Sequence, residues 1–114
     1  MLSILSMFEE VDRRIKQLQR SDWRWVKRNP QRTHEMCAVV DARTRVSVGC
    51  NQLSDETLDR LNKWLDDTKL LPCSHYGDDH FHSIIEWNDA NVSYGGAASV
   101  EEVITVLEKF RAEL

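Results

Sequence analysis

Three segments of the chain have helical periodicity, and each begins with a recognisable cap. The first is predicted to begin at Ser6, because Ser6 and Glu9 have the spacing of a capping box. The second is predicted to begin at Ser54 and to end before Pro72, and the third to begin at Ser99 with another capping box. Their expected buried stripes are, in order, Ile4, Phe8, Val11, Ile15 and Leu18; Leu58, Leu61 and Leu65 beside Trp64; and Val100, Val103, Leu107, Phe110 and Leu114.

The segments between these helices alternate apolar and polar residues, which favours β-strands. Residues 36–48 are predicted to form a hairpin, and residues 23–27 a further strand. Residues 81–87 are the next candidate strand, with residues 92–94 as a short return. The order αβββαβ(β)α predicts an α+β fold in one domain, residues 1–114, in which three helices cover one face of a small antiparallel sheet.

Composition narrows the class of protein. The chain is 41% hydrophobic and 30% charged, as a folded, water-soluble domain should be. No apolar run approaches the ~20 residues that cross a bilayer. The apolar start has no preceding basic residue and runs directly into Glu9 and Glu10, so it does not have the pattern of a signal peptide. Three cysteines without an export signal indicate reduced thiols and a cytoplasmic location.

Charge is sorted along the chain. Residues 13–45 carry ten Lys or Arg against three acids, a net charge of +7, whereas residues 46–114 carry five against thirteen, a net charge of −8. Such an asymmetry attracts oppositely charged macromolecules. The leading interpretation is therefore a small, acidic, non-catalytic binding protein of the accessory or inhibitor type, whose partner is another protein. Its candidate acidic binding residues lie on the second helix: Asp55, Asp59, Asp66 and Asp67.

The basic segment supports an alternative, a nucleic-acid-binding module. Cations alternate there with tryptophans, as in single-strand binders whose rings stack on bases. A half-buried strand over helices would show the same alternation, and the pI of about 5.5 lies far below the ~9 usual for such binders. The candidate residues are Trp23, Arg24, Trp25, Lys27, Arg28 and Arg32.

A second alternative is a zinc site within residues 73–82. If residues 80–86 form a strand, His80 and His82 share a face, about 6.6 Å apart along the backbone, and can converge on one Zn²⁺. A tight turn at Gly77 would bring Cys73 and His75 back over the two histidines. If the zinc activated a water molecule, Glu86 or Asp79 would be the general base. An ordinary solvated loop is the competing interpretation. The predicted ligands are Cys73, His75, His80 and His82.

Residues 84–89, Ile-Ile-Glu-Trp-Asn-Asp, are followed by the helix that begins at Ser99. This arrangement resembles the closing segment of an uncharacterised family of small actinobacterial and phage proteins. The family's Trp and Cys-Ala blocks would correspond to Trp23 or Trp25 and to residues 37–39. The resemblance implies a helix rather than a hairpin near residues 36–48, and an origin near a mobile element. It implies no activity.

Overall fold

A computed structural model describes residues 2–27, 30–31, 34–39, 53–74 and 79–114 of the chain. Within these residues the protein has an α+β fold in which helices predominate. The elements, in chain order, are α1 (Ile4–Leu18), β1 (Arg24–Trp25), β2 (Glu35–Met36), α2 (Asp55–Thr68), α3 (Ile84–Asp89), a short 3₁₀ helix (Val92–Tyr94) and α4 (Val100–Ala112).

Helix α1 begins one turn earlier than predicted. The Ser3 side chain, rather than that of Ser6, caps it, since the Ser6 amide donates to Ser3 Oγ at 3.1 Å. The predicted stripe is wrong at its first two positions, because Ile4 and Phe8 are exposed. The buried face is instead Met7, Val11, Arg14, Ile15 and Leu18, which turns the first apolar residues of the helix toward solvent.

The starts of α2 and α4 are confirmed. Ser54 Oγ accepts the Thr57 amide at 3.3 Å, and Ser99 Oγ accepts the Glu102 amide at 3.4 Å. The Glu102 side chain reaches back beyond the cap, where its carboxylate accepts the amide of Ala98, the residue before Ser99, at 2.5 Å. Helix α2 ends where Lys69 takes a left-handed conformation, φ 51°, before Pro72.

The sheet differs from the predicted one. Strand β1 falls within the predicted strand 23–27, but it pairs parallel with β2, with Arg24 opposite Glu35 and Trp25 opposite Met36. The antiparallel sheet is thus not found among the described residues, whose sheet has two strands. Most of the predicted hairpin, residues 40–48, lies outside the described residues.

The predicted strand 81–87 is wrong. Residues 84–89 form α3, which Ser83 caps by accepting the Glu86 amide at 3.1 Å. Extended pairing in this part of the chain is seen as a bridge between Pro72 and His80, where the Phe81 amide donates to the Leu71 carbonyl at 2.7 Å. The predicted return strand at 92–94 is also wrong, because those residues form the 3₁₀ helix.

The apolar core lies where α1 packs along α4, with α2 beside them. An ion pair between Asp12 and Arg111 links α1 to α4, with Asp12 Oδ1 2.6 Å from Arg111 Nη1. Asp12 also pairs with Lys16 at 2.9 Å. Hydrogen bonding to Lys16 is the largest of the effects that lower the pKa of the Asp12 carboxyl, and Arg111 adds to it.

The side chain of Asn88 in α3 forms hydrogen bonds to residues in and next to both strands. It is 1% exposed, and its Oδ1 accepts from the Trp25 indole at 2.8 Å and from the Ala38 amide at 3.2 Å. Its Nδ2 donates to the Val26 carbonyl at 3.1 Å and to Asp89 at 2.9 Å. One amide therefore satisfies polar groups next to both strands, as buried polar groups require.

Replacing Asn88 with leucine, which has a similar volume, should lower the free energy of unfolding by about 3 kcal/mol, because buried donors and acceptors lose their partner. Urea unfolding measures this change. The matched control is Asn91→Ala, since Asn91 is exposed and its side chain makes no capping bond. The control should change stability by no more than about 0.5 kcal/mol. Equal effects of the two substitutions would contradict this role.

The lowered pKa of Asp12 predicts a pH-dependent contribution to stability. Because its folded pKa lies below its unfolded value, the contribution is complete above the unfolded value, near pH 4, and is lost as the pH falls through the folded pKa. Asp12→Asn should therefore destabilise the protein at pH 7 and have progressively less effect as the pH falls below about 4. Chemical unfolding at several pH values measures this, with exposed Asp59→Asn as the control. A destabilisation independent of pH would be the contrary result.

Candidate metal centre and surface residues

Two imidazoles and a carboxylate converge at the end of α2. Asp66 Oδ1 lies 2.9 Å from His80 Nε2 and 2.7 Å from His82 Nδ1. The two rings meet edge to face, with centroids 4.5 Å apart. Asp79 Oδ1 approaches the other nitrogen of His80, Nδ1, at 2.5 Å. Potential metal-ligating atoms of Asp66, His80 and His82 all lie within 4.8 Å of one another.

The fold positions these side chains through two backbone contacts. The bridge at Pro72 brings the chain back after α2 and sets His80 beside it. The first amide of α3, that of Ile84, donates to Asn62 Oδ1 in α2 at 2.9 Å. His80 and His82 therefore lie on a short segment that is held at one end to Pro72, just after α2, and at the other end to Asn62 of α2.

Electrostatic interactions within this cluster favour a protonated His80 beside charged carboxylates. Hydrogen bonds first to Asp66 and then to Asp79 raise the pKa of His80. The hydrogen bond from His80, followed by that from His82, lowers the pKa of Asp66, and the bond from His80 likewise lowers the pKa of Asp79. His80 is only 8% exposed, so its carboxylate contacts offset the cost of burying it.

The structure brings together only part of the zinc site predicted from sequence. His80 and His82 converge, although not on a strand: His80 belongs to the bridge with Pro72, and His82 lies between that bridge and α3. Cys73 is half-buried and is not among the converging residues, and His75 lies outside the described residues. Asp66 takes part instead, although sequence reasoning placed it only on an acidic helix face. Its separation from the histidines by 14 and 16 residues gave no local signal.

The predicted bases of a zinc-activated water are now placed. Asp79 contacts the far side of the His80 ring, whereas Glu86 lies exposed in the first turn of α3. Asp79 is therefore arranged to orient an imidazole rather than to take a proton from water.

The tryptophans of the basic segment pack within the fold. Trp23 and Trp25 are half-buried and contact the core, and the Trp25 indole donates to Asn88. Lys27 Nζ lies 5.3 Å from the Trp25 ring centroid and donates to the Ala97 carbonyl. Desolvation lowers the pKa of Lys27. Arg24 is exposed, and the predicted contact residues Arg28 and Arg32 lie outside the described residues.

Several cations of the positive stretch are engaged within the N-terminal part of the chain itself. Arg14 is 1% exposed and donates to Gln17 and to the Cys37 carbonyl, at 2.9 and 2.8 Å. Arg20 forms a two-pronged ion pair with Asp22 at 3.0 and 2.6 Å. Arg14 is thus withdrawn from the surface, and Arg20 is paired with an acid of its own stretch.

The predicted acidic residues lie on the exposed side of α2. Asp55, Asp59 and Asp67 are all exposed, and Asp67 pairs with Lys63 at 2.9 Å. Acidic side chains therefore lie at both ends of α2. Of these four aspartates, Asp66 is the one that converges with His80 and His82.

One surface feature was missed by the sequence analysis. Ile4, Leu5 and Phe8 are 43%, 67% and 39% exposed, on the first two turns of α1. Phe8 also lies below the Arg111 guanidinium, 5.9 Å from ring centroid to Cζ. The sequence did contain a sign of this exposed group: Leu5 is apolar but does not fall on the predicted buried stripe, which includes Ile4 and Phe8.

Comparison with known proteins identifies no relative of this chain. No protein-family model, no curated protein and no solved structure matches the chain. The resemblance of residues 84–89 to the actinobacterial and phage family stays a prediction. Among the described residues, no helix combines the length and the apolar character needed to cross a membrane.

Proposed function

We propose that this chain is a small, non-catalytic, cytoplasmic binding protein that engages another protein through the start of α1. The observation that carries the proposal is the exposure of Ile4, Leu5 and Phe8 on adjoining positions of one helix. Phe8 is four residues from Ile4 and three from Leu5, the spacings at which side chains are neighbours on a helix, so Phe8 joins the other two into one apolar face. We call these three residues the α1 face.

The energetics of burial support this proposal. Apolar surface removed from water contributes roughly 25 cal/mol per Å², so covering three large side chains would be a substantial driving force for association. Large apolar residues that cluster on the surface, rather than being scattered singly, are typical of interaction sites. The opposite side of the same helix packs into the core through Met7, Val11, Ile15 and Leu18, so the α1 face is the apolar part of the helix that remains exposed.

Carboxylates around the α1 face favour a basic partner. Glu9 follows Phe8 and is exposed. Glu56, at the start of α2, accepts the Leu2 amide at 2.6 Å, which brings the acidic first turn of that helix to the beginning of α1. A partner segment with apolar residues flanked by Lys or Arg would complement this surface. That partner chemistry agrees with an accessory or inhibitor protein.

The nucleic-acid alternative draws less support. Base stacking needs an accessible aromatic face, but Trp23 and Trp25 are packed against the core, and Lys27 covers the Trp25 ring. Among the candidate basic residues that the structure describes, Arg24 is exposed and could still contact a phosphate group.

The test is to isolate the partner with the wild-type protein and then to measure its affinity for variants. Leu5→Asp should weaken binding at least tenfold, because a charge replaces the most exposed residue of the α1 face. Glu9→Lys should slow association and reduce its dependence on salt. The matched controls are Val92→Asp, an equally drastic change at an exposed residue of the 3₁₀ helix, and Glu108→Lys on α4.

Two outcomes would contradict the proposal. In the first, the isolated partner binds Leu5→Asp and Val92→Asp with the same affinity as wild type. In the second, the recovered material is nucleic acid, with an affinity that falls steeply with salt and is reduced by Arg24→Ala.

A further inference from the structure

We propose that Asp66, His80 and His82 form a binding site for a divalent transition-metal ion, and that the ion is Zn²⁺. This site is separate from the α1 face and does not depend on the proposed function. It rests on the convergence of three different donors from two parts of the chain, α2 and the segment before α3.

The spacing of the donors suits a metal ion. Ligands bound to tetrahedral zinc at about 2.0–2.1 Å are roughly 3.3 Å from one another. One Asp66 oxygen already lies 2.9 and 2.7 Å from the two imidazole nitrogens, and every donor is within 4.8 Å of the others. Side-chain rotations alone would therefore admit an ion between them, in place of the protons that the nitrogens now share with the carboxylate.

Asp79 supplies the outer interaction that metal-binding histidines usually have. Its carboxylate contacts His80 Nδ1 at 2.5 Å, so the opposite nitrogen, Nε2, is directed toward Asp66. A carboxylate behind a ligating imidazole fixes the ring orientation and increases its basicity. Because His80 is nearly buried, this orientation is also held by packing. Asp79 is thus a positioning residue rather than a ligand.

The donor types select among metals. Imidazole nitrogen favours zinc and its neighbours over Mg²⁺ and Ca²⁺, which prefer an all-oxygen shell. Two imidazoles and one carboxylate match a common zinc set, with a fourth position for water. Asp66 and His82 are about half exposed, so water can reach that position directly.

Zinc bound here would link the last part of α2 to the segment that leads into α3. Ligand that binds only the folded state stabilises it by mass action. Saturating Zn²⁺ should therefore raise the Tm, by about 5 °C or more for a chain of this size.

The experiment uses the full chain, purified without a His-tag, stripped with chelator and titrated with ZnCl₂ by calorimetry. One equivalent of zinc should bind. Asp66→Asn and His82→Gln, both at exposed ligands, should weaken binding at least tenfold while circular dichroism shows an intact fold. Asp79→Asn should weaken it by about 10- to 100-fold through His80.

Matched controls separate this site from general acidity or stray imidazoles. Asp67→Asn changes the neighbouring exposed carboxylate, and His34→Gln changes an exposed histidine elsewhere. Neither should alter zinc affinity or the zinc-dependent rise in Tm. A zinc stoichiometry near zero would overturn the proposal. So would equal affinity in Asp66→Asn and Asp67→Asn, or a loss of binding in Cys73→Ser that Asp66→Asn does not share.

Discussion

The buried side-chain amide of Asn88 hydrogen-bonds residues of both strand segments to helix α3. Strands of two residues are too short to persist alone, since even an isolated hairpin is only marginally stable in water. Asn88 accepts from Trp25 and Ala38 and donates to the Val26 carbonyl, so it completes hydrogen bonding where the ladder ends. The sheet therefore depends on α3 for its position.

Helix α3 also links this contact to the candidate metal centre. It has only six residues, with Asn88 near its end and Ser83 as its cap. Asn62 of α2 accepts the Ile84 amide, so the start of α3 and the histidines just before it are held beside Asp66. Packing of one short helix thus sets both the sheet and the imidazole cluster, whereas the α1 face is formed by a different helix.

Sequence reasoning succeeded where the determining contact is local. The caps at Ser54 and Ser99 are confirmed, because a side chain and an amide three residues away decide them. Ser83 and Glu86 carried the same signal, but the β-branched Ile84 and Ile85 favoured a strand. Parallel pairing and the approach of Asp66 to His82 depend on contacts between distant residues, for which a single sequence carries no periodic pattern.

We expect the Asn88 side chain to hold Trp25 for as long as the protein is folded. Hydrogen exchange of the Trp25 indole proton, followed by NMR, tests it most directly. The indole proton should exchange as slowly as the Leu61 and Leu65 amides in the core of α2, since the indole would be released only by global unfolding. Exchange at the rate of a solvent-exposed indole, while those amides remain protected, would contradict it.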